Sequence, residues 1–254
     1  HRQDVKALCR WAGSLALPST YTTWFNFLAS HDGIGLNPLR GILPESEILS
    51  LVEKLQQEGA LVNWKNNPDG TRSPYEINVT YLDALSLRDS SDDERIARFI
   101  LAHAVLLSFP GVPAVYIQSI LGSRNDYEGV ERLGYNRAIN RKKYTAGQVD
   151  RELNNKSIRY QIYSRLSELI AVRRGERTFH PDSQAIFDAI GEHILKIVRV
   201  AENGERITAL FNFSNKMQTV YGQSLFGREL LSGQDISGTE LTLNPWQVMW
   251  IKEN

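Results

Sequence analysis

Two short apolar segments, Thr22-Thr23-Trp24-Phe25-Asn26-Phe27-Leu28-Ala29 and Val112-Pro113-Ala114-Val115-Tyr116-Ile117, each follow a helical stretch and each run into a long polar loop. β-Branched and aromatic runs bounded by turns suit buried strands. The first helix is expected over residues 4 to 17, where Val5, Leu8, Cys9, Ala12, Leu15 and Ala16 share a face before Pro18-Ser19 stops it. Ser91-Asp92-Asp93-Glu94 reads as a capping box opening a second helix, with Ile96, Phe99, Ile100, Leu106 and Leu107 on its stripe. A third, from about Ser157 to Arg174, aligns Ile158, Ile162, Leu166, Leu169 and Ile170. Helix, strand, loop, helix, strand, loop, helix is the order of consecutive βα units.

Between the first strand and the capping box, residues 33 to 90 form a long excursion with one expected helix around Glu45 to Glu58 and a dense turn at Asn66-Asn67-Pro68-Asp69-Gly70. Loops of that length are usually lids or binding loops. After Arg177 the pattern becomes alternating strands, clearest at His193 to Val200, Arg206 to Phe213 and Trp246 to Ile251. Asn203-Gly204 signals a hairpin whose type I′ turn would need positive φ at both residues. A complete (β/α)₈ barrel takes about 250 residues and eight strands, and only two barrel strands are found. The expected fold is therefore α/β: the C-terminal portion of a (β/α)₈ TIM barrel over residues 1–176, followed by a small antiparallel β domain over 177–254. The opening residues look like the interior of a helix and carry no signal peptide, so the chain is expected to begin in mid-domain.

Charge narrows the function. Lys plus Arg equals Asp plus Glu at 29 each, which leaves no basic field for nucleic acid or an anionic membrane and favours a small-molecule substrate. The longest apolar stretch, Ala102 to Tyr116, is interrupted by His103, Ser108, Pro110, Gly111 and Pro113 and falls short of the ~20 residues of a membrane span. The single Cys9 favours a reducing, cytoplasmic setting. No metal-ligand spacing is present, and no cofactor is expected.

Barrel enzymes place their chemistry on loops after the strands' C-terminal ends, which is where His31-Asp32 lies. Spacing alone leaves Asp32 open between an active-site carboxylate and a turn cap, since Asp before Gly is common in turns. His103, on a helix stripe, reads as a hydrogen-bonded core residue. Arg173-Arg174 and Arg177 read as helix-end cations rather than phosphate ligands. Of the tryptophans only Trp64 lies in a polar loop, where it could stack on a sugar; Trp11, Trp24, Trp246 and Trp250 read as core.

The run Phe25-Asn26-Phe27-Leu28-Ala29-Ser30-His31-Asp32-Gly33-Ile34-Gly35 resembles the segment of the α-amylase superfamily, glycoside hydrolase family 13, that bears its His-Asp pair, in the form found in sucrose phosphorylases and their relatives. Tyr75-Glu76-Ile77-Asn78-Val79-Thr80-Tyr81 resembles the mobile acceptor loop of that group, and Gly111 to Tyr116 its last barrel strand. Asn125-Asp126 and Asn136-Arg137-Ala138-Ile139-Asn140-Arg141 resemble the loop that sets an arginine against the glucosyl ring. The resemblance runs from about Ala12 to Asp150. It implies that Asp32 stabilises the transition state, that His31 bonds glucosyl hydroxyls, that Arg137 orients the ring, and that Tyr75 and Glu76 face the acceptor.

The activity so implied is a retaining phosphorylase that passes glucose from sucrose, or a related α-glucoside such as glucosylglycerate, to inorganic phosphate, giving glucose 1-phosphate. Such retaining chemistry needs a carboxylate nucleophile and a carboxylic acid ~5 Å apart. The resemblance assigns both to earlier barrel strands, and no Gly-x-Arg-x-Asp segment able to supply the nucleophile is recognised, so the chain alone is expected to be inactive. Its implied partners are the sugar, phosphate and the N-terminal part of the same protein; oligomeric state stays open. Glu76 stands where sucrose phosphorylases carry Gln, and a carboxylate there would repel phosphate unless offset, with Arg72 the candidate cation. Two alternatives stay beside this reading: a hydrolase or transglucosidase of the superfamily, and an inactive fragment or module that binds a sugar or partner.

Overall fold

A computed structural model of the chain describes residues 1–19 and 21–254, apart from the side chains of 222–225. Contacts divide it into two units. Unit 1 comprises His1, Phe27–Phe99 and Val115–Ser164; unit 2 comprises Arg2–Asn26, Ile100–Ala114 and Arg165–Asn254. In chain order the elements begin α1 (Lys6–Gly13), β1 (Phe25–Phe27), β2 (Ile34–Gly35), α2 (Glu45–Gln57), β3 (Leu61–Asn66), β4 (Arg72–Asn78), α3 (Tyr81–Ala84) and α4 (Asp92–Ser108). There follow β5 (Val112–Ala114), α5 (Ile117–Ile120), α6 (Tyr127–Leu133), a 3-10 turn at Asn136–Asn140, α7 (Ala146–Leu153) and α8 (Ile158–Gly175). The last six are β6 (Gln184–Ile190), β7 (Ile194–Val200), β8 (Arg206–Asn212), β9 (Gln218–Glu229), β10 (Asp235–Leu243) and β11 (Val248–Glu253).

Within unit 1, α2 starts after Pro44 with Glu45 and Glu47 in its first turn and Lys54 in its last, the charge order that the helix dipole favours. Its buried residues Ile48, Val52 and Leu55 pack with Leu36, Ile77, Val79 and Ala84 into one apolar cluster. The opposing surface is a three-stranded sheet in the order β2-β4-β3. The excursion expected to be loop with a single helix therefore also holds a three-stranded sheet and a second short helix, α3, and Tyr75 and Glu76 lie on the sheet's central strand. Its composition hides it, because β4 contains Pro74 and proline is rare in a central strand. Pro74 pairs with Trp64 where the β3–β4 register shifts between Asn63 and Trp64, and a bulge is one of the few places that tolerate a missing donor. Of the expected capping box the Ser91 half is formed, with Glu94 N–H donating to Ser91 Oγ at 3.2 Å, while the Glu94 carboxylate accepts from Arg98 Nη1 at 3.5 Å.

Unit 2 carries the paired strands β1 and β5 and a six-stranded sheet in the order β10-β9-β11-β8-β7-β6, antiparallel throughout. α1 is shorter than residues 4 to 17: its last carbonyls are capped by Ser14 and Leu15, and Pro18 biases the preceding residues away from helix. β1 keeps only three residues of the expected strand. The β7–β8 hairpin is present, but its turn is not type I′. Gly204 takes φ +88° and donates to Ala201 O at 3.0 Å, while Asn203 stays out of the positive-φ region. Among the described residues no helix is long and apolar enough to cross a membrane.

Arg199 in unit 2 is 0 % exposed, and among the described residues no carboxylate pairs with it. Its guanidinium donates to the carbonyls of Ser108 and Phe109, both at 2.9 Å, and of Gln184, His180 and Ser183 at 3.3, 2.7 and 3.1 Å. Ser108 ends α4, whose last carbonyls have no intrahelical donors and carry the negative end of the dipole. Arg173 does the same for the Leu107, Gly111 and Phe179 carbonyls at 2.9, 3.3 and 3.0 Å, so it ends α4 and not its own helix, α8, whose end its sequence position suggested. Burial, and then the Arg173 charge, lower the Arg199 pKa to about 10, which still leaves it cationic at neutral pH. Arg199→Ala would strand several buried carbonyls at once, and a loss of about 3–5 kcal/mol is expected. Arg199→Lys, with fewer donors in a different geometry, should recover only part of it; chemical denaturation of both variants measures this.

Candidate active site

The turn after β1 carries Ser30, His31, Asp32 and Gly33, all in unit 1. Asp32 N–H donates to Ser30 Oγ at 3.1 Å, and the Asp32 carboxylate, 38 % exposed, turns to two guanidiniums and an imidazole. Arg137 Nη1 and Arg141 Nη2 each lie 3.1 Å from its Oδ1, and His31 Nε2 lies 3.7 Å from its Oδ2. Asp32 is thus an ion-paired, solvent-reachable carboxylate rather than a turn cap.

Glu76 is buried, at 4 % exposure, and all of its acceptor capacity is directed inward. Its Oε1 accepts from Arg137 Nε at 3.0 Å and Gly33 N–H at 3.3 Å, and lies 3.0 Å from Arg137 Nη2. Its Oε2 accepts from Asn63 Nδ2 at 2.7 Å and Arg137 Nε at 3.1 Å. A buried carboxylate is tolerable when paired and hydrogen-bonded in this way. The offsetting cation is therefore Arg137 and not Arg72, which is exposed at the other end of β4. The Glu76 hydrogen bonds, then its charge, raise the Arg137 pKa, with smaller contributions from Asp32 and Tyr75. Tyr75, next to Glu76 on β4, is half-buried, and its carbonyl accepts from Leu36 N–H at 2.9 Å.

Gly33 is required for this closeness. A Cβ there would lie 2.6 Å from Ile77 O and 2.7 Å from Glu76 Cγ, contacts that cannot be relieved without moving β4.

His31, Asp32, Glu76 and Arg137, singled out in the sequence, thus converge. Sequence reasoning passed over Asn63, Asn136, Asn140 and Arg141. Asn136 Nδ2 donates to Asn63 Oδ1 at 2.8 Å, which orients the amide that bonds Glu76. Asn140 Nδ2 donates to Ser30 O at 2.7 Å and Asp32 O at 3.2 Å. The available signal was the repeated dipeptide Asn136-Arg137 and Asn140-Arg141, one helical turn apart and polar in both copies.

Gly122-Ser123-Arg124-Asn125-Asp126 does spell Gly-x-Arg-x-Asp, but it offers no free nucleophile. Asp126 is buried and caps α6 through Gly129 N–H at 3.2 Å, and Arg124 is paired with Asp83. Trp64 is half-exposed on β3 rather than in a loop.

No family model matches the chain. It is 67% identical over 252 residues to a glucosylglycerate phosphorylase of Escherichia coli (strain K12), covering 99% of this chain and 45% of that protein. It is 40% identical to a glucosylglycerate phosphorylase of Allomeiothermus silvanus, covering 98% of this chain and 44% of that relative. The crystal structure of sucrose 6F-phosphate phosphorylase from Thermoanaerobacter thermosaccharolyticum superposes with a TM-score of 0.70 at 20% identity, over 95% of this chain and 44% of that one. The fold is accordingly the C-terminal portion of such a barrel enzyme with its antiparallel β domain. The chain spans less than half the length of these relatives.

The Glu76–Arg137 pair generates a test on the chain itself. Glu76→Gln puts an amide N–H where an acceptor now faces Arg137, Gly33 and Asn63, and a loss of about 1–3 kcal/mol is expected. A double-mutant cycle with Arg137→Met, read by denaturant unfolding, should give a coupling of about 1–2 kcal/mol; additive effects would mean that the pair contributes nothing to stability.

Proposed function

Because this chain belongs to the sucrose phosphorylase-like glycoside phosphorylases of the α-amylase superfamily, of which it carries the C-terminal part, we propose that the full-length protein transfers glucose from glucosylglycerate to phosphate with retention. The products are glucose 1-phosphate and glycerate. The observation that carries this is the convergence of Asp32, His31, Arg137 and a buried Glu76 at the end of β1, in a chain 67% identical to a protein of that name. Residues 1–176 are taken as the barrel part and 177–254 as the appended β domain.

In this reading the first step breaks the bond from the glucosyl anomeric carbon to the glycerate oxygen. A carboxylate nucleophile takes the carbon and a carboxylic acid gives its proton to the leaving oxygen. A phosphate oxygen then displaces the nucleophile. Neither of those two groups belongs to the residues assigned here. Asp32 stabilises the positive charge that develops on the ring by bonding hydroxyls more strongly in the transition state than in the ground state, the differential that accelerates a reaction. His31, with its imidazole exposed, donates to a glucosyl hydroxyl, and Arg137 orients the ring.

Glu76 and Tyr75 border the acceptor side. With Glu76 neutralised by Arg137, Asn63 and Gly33, an approaching anion meets a guanidinium-covered carboxylate rather than a bare one, so phosphate and glycerate can both be admitted.

Glucose 1-phosphate release, measured for the full-length protein with phosphate and either glucosylglycerate or sucrose, tests this. Release from glucosylglycerate is expected to exceed release from sucrose by at least about tenfold, since a site built for a charged acceptor discriminates against a neutral one. The chain alone should release none. Free glucose in place of glucose 1-phosphate would favour the hydrolase.

A further inference from the structure

We infer that Pro74 is a positioning residue: it enforces a bulge in β4 that turns the Tyr75 side chain onto the face of the sheet that carries Glu76. This rests on the reading above in which Tyr75 borders the acceptor side. The two faces of the sheet are distinct. Ile77 on β4 and its partner Val62 on β3 pack on α2, while Glu76 and its partner Asn63 meet Arg137 and Asn136. Side chains alternate along a strand, so a regular β4 would put Tyr75 on the α2 face with Ile77. The register departs from that. Asn63 opposes Glu76, but Trp64, the next residue of β3, opposes Pro74, which leaves Tyr75 as the extra residue of a bulge. Counted from the other end, Trp64 is two residues from Val62 and shares the α2 face. Pro74 opposes it there, and Tyr75, the residue after Pro74, points the other way. In keeping with that placement, the Arg137 pKa is raised first by Glu76, then by Asp32 and by the Tyr75 phenol.

Proline makes the bulge obligatory. The Tyr75 carbonyl accepts from Leu36 N–H at 2.9 Å and so faces the β2 side. The backbone groups of successive residues in a strand point to opposite edges, so in a regular β4 the Pro74 nitrogen would face β3. There a regular ladder would pair Pro74 with Lys65 and require a donor that proline lacks. The bulge removes that demand and leaves Ser73 to pair with Lys65 and Arg72 with Asn66. The Pro74 carbonyl is held as well, accepting at 3.4 Å from Arg40 Nη2, which also donates to Glu45 Oε1 at 3.3 Å. Re-aiming a single side chain is a use to which bulges beside active sites are put. Pro74 accordingly acts through Tyr75 and touches no reacting atom.

The test uses the full-length protein, with α-glucosyl fluoride as donor and phosphate as acceptor. Pro74→Ala restores the missing donor, so its crystal structure should show a regular β4 with Tyr75 opposite Trp64. The KM for phosphate should rise about tenfold, one lost hydrogen bond expressed as affinity, while kcat at saturating phosphate stays within about twofold. In a Tyr75→Ala background the same substitution should change that KM less than about twofold, because no side chain is left to aim. A bulge that persists in Pro74→Ala would overturn the inference, as would an unchanged KM or an equal rise in both backgrounds. A wild-type enzyme that passes glucose to water rather than phosphate would refute the phosphorylase reading alone, and the register of β4 in Pro74→Ala would still decide the inference.

Discussion

Asp32 and Glu76 meet on a single guanidinium, and the architecture of unit 1 follows from keeping that meeting intact. Arg137 bonds Glu76 through Nε and Nη2 and Asp32 through Nη1, so one cation bridges two carboxylates on different segments while Arg141 supplies the second positive charge, at Asp32. For this to hold, Gly33 must lie against β4 without a side chain, the β3 amide Asn63 must complete the shell of Glu76, and the 3-10 turn must deliver Arg137 at a fixed height. The sheet β2-β4-β3 and the packing of α2 on it make these segments one body. The apolar cluster supplies the driving force, and the ionic network, costly to desolvate, supplies uniqueness of arrangement.

Unit 2 solves the opposite electrostatic problem. There the half-buried Arg173 and the buried Arg199 pair with no carboxylate among the described residues and are satisfied by carbonyls at the end of α4 and in the segment before β6. A helix C-terminus offers unpaired acceptors and a partial negative charge, so a fully charged side chain can replace the caps that the helix lacks. The depressed pKa of Arg199 measures how far burial still opposes it. The same residue type thus organises both units, by pairing with charge in one and by ending backbone in the other.

What was legible in the sequence divides along physical lines. α2, α4 and α8 were readable because long amphipathic stripes carry their own period, and the His31-Asp32 turn because its neighbours are distinctive. The β2-β4-β3 sheet was not, because strands of two to seven residues containing Pro74, Asn63 and Lys65 are held by partners and by a bulge rather than by propensity. The cation that offsets Glu76 was misassigned for the same reason. Its neutralising cation sits in a distant turn, whereas sequence proximity suggested Arg72. Arg141 lay in plain view beside Arg137, yet nothing local distinguishes a solvated arginine from one that bonds a turn over a hundred residues earlier.

In the proposed glucosyl transfer, labour divides along energetic lines. The nucleophile and acid act by forming and breaking bonds, and they need reach and the correct protonation state. A transition-state carboxylate needs instead to be immobile and charged before substrate arrives, because any reorganisation at the moment of reaction subtracts from what it stabilises. Every contact that immobilises Asp32, from Ser30, Arg137, Asn140 and Arg141, comes from within unit 1. Among the described residues the frame that holds the carboxylate is therefore local to unit 1, and in the proposed glucosyl transfer the sugar would meet a charge already in place.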